Sequence, residues 1–404
     1  ATVYGAPAQA TVVLRQGRIQ SLAQAPPADC KVVNLQGLYL YPGLVESDST
    51  LGLVETDSIR ATVDIAEVGS NNADLQAEIA FNPDSELLPV ARSAGVLTVA
   101  LQPTGGRICG QVGVLQLWGW SPDEMRRTPS PGVVVMWPSW PSGEVEKARI
   151  KWRQELARLE DWIEEAQAWS QLPPHQRPVR PELAALTPVV NGTGKLFIRA
   201  QSRFQIESAA EFCQRHQLRW VLVGGAEADE CVAQLAQNKV DVIYTEAYRL
   251  PRRDYEDFDR YFRVPAVLTQ AGLRVALAGP SSHDNARWLT EMAAACSAHG
   301  WGPKAAIDAI TRVPCEILGL PAQGTLEENQ AATLIACSGP LLDGRSRVVR
   351  AWVQGQEIDL SDRQKRLWEK YRNKPRLTVP RSGGENSHMI PDRLPPAQSL
   401  RPKR

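Results

Sequence analysis

The middle of the chain restricts the fold most, because short β-branched runs alternate there with longer segments of helical period. Residues 95–101 (Gly95-Val96-Leu97-Thr98-Val99-Ala100-Leu101), 218–223, 240–244 and 273–278 are apolar runs of strand length, several ending in glycine (Gly224-Gly225, Gly279). Between and after them, residues 206–216, 228–238, 265–271 and 285–299 have helical periodicity. Regular succession of this kind predicts parallel βαβ units. No Gly-x-Gly-x-x-Gly opens any of the helices, which disfavours a dinucleotide-binding open sheet. The expected fold class is therefore α/β, a (β/α)8 TIM-type barrel, and 404 residues accommodate one such barrel with an attachment.

The two ends have a different texture. Thr11-Val12-Val13-Leu14, the turn Gln16-Gly17 and Arg18-Ile19-Gln20-Ser21-Leu22 predict a hairpin. Residues 31–34 and 38–41 predict two further strands, and residues 332–336 and 347–354 repeat the pattern near the other end. This predicts a small composite β-domain from 1–40 and 325–374, around a barrel spanning 41–324. A charged helix over 144–169, carrying Trp152, Trp162 and Trp169 and stopped by Pro173-Pro174, predicts an insert at about 144–172. It either packs its rings on its own barrel or serves as an arm for a partner. Residues 375–404 are rich in Pro, Ser, Gly and Arg and predict an extended or disordered tail.

Composition excludes some functions. Lys plus Arg equals Asp plus Glu at 45 each, so net charge argues for neither nucleic acid nor membrane as a partner. No apolar run reaches transmembrane length. The seven cysteines are scattered without a Cys-x-x-Cys pair, as expected of small core residues rather than a zinc knuckle or disulfide framework. No leader is visible and the first residue is Ala1, so the compartment stays open.

Two stretches carry a resemblance: "YPGLVES" at 41–47 and the long closing segment from "AIDAITRVPCEILGLPAQGTLEE" through "RVVRAWVQGQEID". They resemble the amidohydrolase superfamily, in particular its imidazolonepropionase-like members, over about 11–374. The resemblance implies a barrel and metal-assisted hydrolysis of carbon–nitrogen bonds, with one or two divalent ions, commonly zinc, activating a water. It also implies ligands at set places: His-x-His after the first strand, His on the fifth and sixth, Asp after the eighth. Carried onto this chain, the first pair falls on Asp48 and Thr50, and the fifth-strand histidine on Arg199. The sixth falls near Val223-Gly224-Gly225, and the aspartate on Gly279, Pro280 or Ser281. A guanidinium opposes a dication in the same pocket, and Asp48 paired with Arg199 would replace a metal contact by an ion pair.

These residues leave three functional expectations. The first is a catalytically degenerate amidohydrolase paralog: no metal, no cofactor, and a structural or regulatory role as a homo-oligomer or as the partner of an active paralog. The second is a hydrolase using zinc or another divalent ion at a rearranged site of Asp48, His283 and Asp284. The third is a metal-free barrel that grips a small polar ligand through Asp48, Arg199, Thr50 and Ser281. Of five histidines only His283 stands near a barrel mouth, where such folds carry their chemistry. His283-Asp284 equally reads as a surface histidine beside a helix N-cap. The Gly-rich 102–111 and the basic 249–253 are either ligand loops or plain turns.

Overall fold

A computed structural model describes residues 1–5, 10–23, 25, 27–28, 30–139, 145–279, 283–320, 322–372 and 374. The chain divides into two units, residues 1–363 and 364–404. The larger is a mixed α/β fold with four sheets among the described residues.

Six strands make the main sheet in the order Val275–Leu277, Asp241–Tyr244, Trp220–Gly224, Lys195–Ala200, Gly132–Met136 and Ile108–Gln111. The first five are mutually parallel. A three-stranded sheet holds Leu44–Ser49, Val96–Leu101 and Gly113–Gln116. The alternation seen in the sequence thus produces parallel strands linked by helices such as Arg203–Arg215 and Arg260–Gln270. One segment departs from the parallel pattern. Ile108–Gln111 runs antiparallel to Gly132–Met136, and Gly113–Gln116 runs antiparallel to Val96–Leu101. The turn before it contains Gly105 and Gly106, both at positive φ, and a Cβ on Gly106 would come within 2.8 Å of the Gly69 carbonyl. This tight reversal needs glycine, so the Gly-rich stretch works as a turn.

The strands are buried on both faces, which is why they read as unbroken apolar runs. Alternate residues Val134, Phe197, Val221, Val223, Ile243 and Ala276 form one cluster with Val45, Ala100 and Val114. Their neighbours Val133, Val135, Leu196, Ile198, Leu222 and Val242 pack in another, against the helices.

A five-stranded sheet takes Thr2–Val3 and Tyr39–Pro42 from one end of the chain and Leu334–Cys337, Val348–Val353 and Gln356–Ile358 from the other. The hairpin Thr11–Arg15 with Arg18–Ala23 turns at Gln16 and Gly17, both at positive φ, as a two-residue loop between twisted strands requires. Residues 31–34, expected as a strand, are irregular. Val32 is 63% exposed, while Val33 packs on the small core around Leu40 and Leu334 without pairing as a strand.

The charged insert is the helix Val145–Gln171. Its Leu159, Ile163 and Ala166 are fully buried. Trp152 lies 5.1 Å from the Phe204 ring, and Trp162 and Trp169 pack on the main core. The tryptophans therefore anchor the insert to its own chain. The tail after 374 lies outside the described residues. Six of the seven cysteines are buried thiols; Cys30 is exposed.

Because Leu159 fills a fully enclosed position in this contact, Leu159→Ala should destabilise the protein by about 2–5 kcal/mol. A urea unfolding curve would show it as a lower midpoint with an unchanged slope.

Candidate functional site

The site begins at the end of the strand Leu44–Ser49, whose residues are all buried. Pairing with Val96–Leu101 slips between Glu46 and Ser49, so the first strand carries an extra residue there. A bulge of this kind changes which side chains share a face. It presents Asp48 to the strand Lys195–Ala200, where Arg199 stands two residues beyond Phe197 on the same side.

Asp48 and Arg199 form a bidentate ion pair: Nη1 donates to Oδ2 at 2.9 Å, and Nη2 donates to Oδ1. The carboxylate is fully buried and the guanidinium 13% exposed. Two parallel bonds fix the arginine's plane, which a lysine could not do. Burial opposes the arginine's charge, but Asp48 outweighs it and holds the guanidinium above its usual pKa. Arg199 Nη2 also donates to Gln102 Oε1 at 3.4 Å, and Gln102 Nε2 donates to the Ser47 carbonyl at 2.9 Å. Cys109 lies on the same side of the interior; burial pushes its thiol up to about 11, against the pull of Arg199.

Glu46 was missed by sequence reasoning, which read it as part of a buried strand. Its carboxyl is 1% exposed. The Gly279 N–H donates to both of its oxygens at 3.2 and 3.3 Å, and the Asp48 N–H donates to Oε1 at 3.2 Å. Burial drives its pKa up to about 8, these backbone donors pull it down, and the Asp48 charge pushes it up. Glu46 is therefore mostly neutral at pH 7. The signal in the sequence was a glutamate between Val45 and Ser47 in an otherwise apolar strand approach.

The other resemblance-derived positions follow the same logic. At Gly224 a Cβ would meet Gln201 Nε2 at 2.5 Å and the Ala200 carbonyl at 3.0 Å, and φ is +105°, so no ligand side chain fits. At Gly279 a Cβ would meet Glu46 Oε2 at 3.5 Å: the glutamate of the first strand fills the space below the eighth-strand position. Pro280 and Ser281 lie outside the described residues. Thr50 is buried at the end of the first strand.

His283 and Asp284 have different surroundings from those expected. His283 Nδ1 lies 3.6 Å from Asp57 Oδ1, and Asp284 lies 3.9 Å from Arg287. Asp284 precedes the short 3-10 turn Asn285–Trp288 without a side-chain cap bond. The crevice beside them, lined by Leu51, Leu87 and Ala286, measures about 10 Å³, room for one water at most. The group that completes the surroundings of Asp48 is Arg199 with Glu46 and Gln102, because a buried carboxylate draws the nearest full cation. In the basic loop, Arg249 pairs with Glu246 at 2.6 Å and Arg253 with Glu227 at 3.7 Å, which satisfies a surface loop without a ligand. Among the described residues, no three His, Cys, Asp or Glu side chains are grouped to hold a metal ion. A larger cavity of about 330 Å³ opens beside Lys195, Trp220, Asp241 and Arg274, at the starts of the strands and so at the opposite end from Asp48.

Two outcomes test this geometry. Removing one partner of the buried pair leaves a stranded charge, so Arg199→Met should cost about 3–5 kcal/mol, while Arg199→Met with Asp48→Leu should cost much less. Additive losses in that cycle would mean that the two residues do not interact. For Glu46 the folded pKa of about 8 lies above the unfolded 4.5. Its contribution to stability is thus present below pH 4.5, declines as pH rises, and is lost above pH 8. The wild-type melting temperature should fall across that window by the equivalent of about 3–5 kcal/mol, and Glu46→Gln should flatten the profile.

No family model matches the chain, and no curated protein matches it. Solved structures do. An amidohydrolase from Thermotoga maritima is similar with a TM-score of 0.76 at 20% identity, over 86% of this chain and 94% of that one. A prolidase complexed with N-methylphosphonate-L-proline gives 0.50 at 12% identity, over 86% and 94%. A further amidohydrolase gives 0.50 at 14%, over 86% and 93%. At these identities the likeness is one of architecture, and the chain has the fold seen in amidohydrolase structures.

Proposed function

We propose that this chain is an amidohydrolase-like barrel that has exchanged the family's metal for an internal ion pair and acts as a structural or regulatory partner rather than as a hydrolase. In this reading the two main sheets are arcs of one barrel. The segment 108–116 joins them on one side, pairing with a strand of each. On the other side Leu277 donates to the Ala309 carbonyl and Val45 to the Ile310 carbonyl, both at 2.9 Å, and so connect the last strand to the first. The five-stranded sheet drawn from both ends would be the composite β-domain of such proteins.

The observation that carries the proposal is the bidentate Asp48–Arg199 contact. Metal-assisted hydrolysis needs a cation with an open coordination position, so that a water can be bound and ionised. Here the cation is a guanidinium, which cannot give up a proton at neutral pH or bind water as a Lewis acid. Both carboxylate oxygens of Asp48 are engaged by it. Glu46 and Gly224 occupy further positions toward which ligands would point. The partner of this reading is a second copy of the chain or an active amidohydrolase-like paralog.

Metal analysis of protein purified without chelator tests the proposal. We expect well under one equivalent of zinc, iron or manganese, and no loss of folding on dialysis against a chelator. Stoichiometric metal that disappears in Asp48→Ala, together with hydrolysis of an amide substrate, would falsify the reading. Sedimentation of the wild-type chain alone, and mixed with its paralog, tests the assembly role, which a monomer that binds no paralog would rule out.

A further inference from the structure

The equal count of acidic and basic residues is an average over two oppositely charged parts. Residues 363–404 contain twelve Lys and Arg and three Asp and Glu, which leaves an acidic excess of the same size on 1–362. Such asymmetry points to a polyanionic partner for the basic part. Within it the structure describes one regular element, the helix Arg363–Arg372, with sequence RQKRLWEKYR.

None of the helix's residues is buried. Leu367, Trp368 and Tyr371 are 36%, 60% and 55% exposed. At helical spacing they share an arc of about 100°. Gln364 lies within that arc; Lys365 and Arg372 border it on one edge and Arg363 and Lys370 on the other, with Glu369 paired to Arg372 at 2.7 Å and Arg366 on the far side. Two of these cations rest over the rings: Arg372 lies 4.4 Å from the centre of Trp368, and Lys370 Nζ lies 5.6 Å from that of Tyr371. The element thus has an aromatic and aliphatic face between two cationic margins.

We propose that the helix Arg363–Arg372 docks this protein on an anionic lipid surface. Trp and Tyr settle at the level of lipid headgroups, where an amphipathic ring meets both phases. A helix lying in that plane sinks its apolar arc and leaves the marginal Lys and Arg at the depth of the phosphates, with their stems along the apolar boundary. Single-stranded nucleic acid would ask for rings and cations interleaved on one face, and would make no use of Leu367 beside the rings. No helix among the described residues is long and apolar enough to cross a membrane, so the contact is peripheral. Three apolar residues hold weakly by themselves, and the Lys and Arg along the margins of the helix supply the second, electrostatic signal that attachment needs. This docking is independent of the reading of the Asp48 site.

The test is co-sedimentation of the full chain with vesicles at low ionic strength. Phosphatidylcholine vesicles that contain phosphatidylserine should carry the protein down, and pure phosphatidylcholine vesicles should not. Leu367→Ser, Trp368→Ser and Tyr371→Ser together retain every charge and should abolish binding. Lys365→Gln, Lys370→Gln and Arg372→Gln together should weaken it by about 100-fold. Both variants should melt with the wild type, since the helix buries nothing. Inorganic phosphate at the same ionic strength as a chloride control should not displace the protein further; selective displacement would mean a simple anion site and overturn the proposal. So would absence of binding, binding that ignores lipid charge, or serine variants that bind as wild type. An oligonucleotide that binds more tightly than the vesicles through the same rings would also overturn it and assign the helix to nucleic acid.

Discussion

A guanidinium inside a nearly dry interior needs a counter-ion at contact distance, because desolvating an unpaired charge costs more than the local packing can return. Arg199 meets this need with Asp48, and the demand propagates outward. Asp48 must reach across from another strand, which the slip in pairing after Glu46 allows. Burial first, and the Asp48 charge after it, press Glu46 toward the neutral form, while the Gly279 and Asp48 N–H groups pull the other way. The backbone N–H of Gly279 reaches both oxygens of that carboxyl from far along the chain. One buried guanidinium thus bears on the ends of both strands that meet there.

The opposite end of the same strand repeats the principle. Lys195 stands on the side of Phe197 and Arg199, and its Nζ donates to Asp241 Oδ2 at 3.0 Å and to the Ile317 carbonyl at 2.9 Å. Between the two ionic ends lies an apolar layer of Phe197, Val221, Val223 and Ile243. Charges sit where the strands end and water or loop backbone is near, and hydrocarbon fills the centre. This is a packed core with polar caps, and it separates the Asp48 end from the cavity beside Lys195, so neither can influence the other through solvent.

Much of this was legible from residue order. Continuous apolar runs such as 218–223 give strands buried on both faces, and amphipathic stretches such as 206–216 give the helices that cover them, since each follows from burial along a few consecutive residues. The Asp48–Arg199 contact was expected only through the resemblance, which sets both residues at positions where that family's ligands converge. Glu46 was not readable, because its state depends on a bulge and on the Gly279 N–H, over two hundred residues away. For His283 and Asp284, nearness to a barrel mouth in sequence does not say which neighbour a side chain turns to; those nearest are Asp57 and Arg287. Residues 31–34 have the composition of a strand but no sheet edge to join, so propensity alone did not decide them.

The net charge is the instructive case. A balance of 45 against 45 describes the chain as an object seen from far away, but screening limits an encounter to charges within about 10 Å of the surface being met. At that range the local charge counts rather than the sum, and the basic C-terminal segment carries its aromatic residues on one side of a helix. The chain thus keeps its cations in two ways: Arg199 is held by a carboxylate where water is excluded, because an unpaired charge there would be too costly, whereas the cations of the helix remain exposed, where solvation offsets that cost.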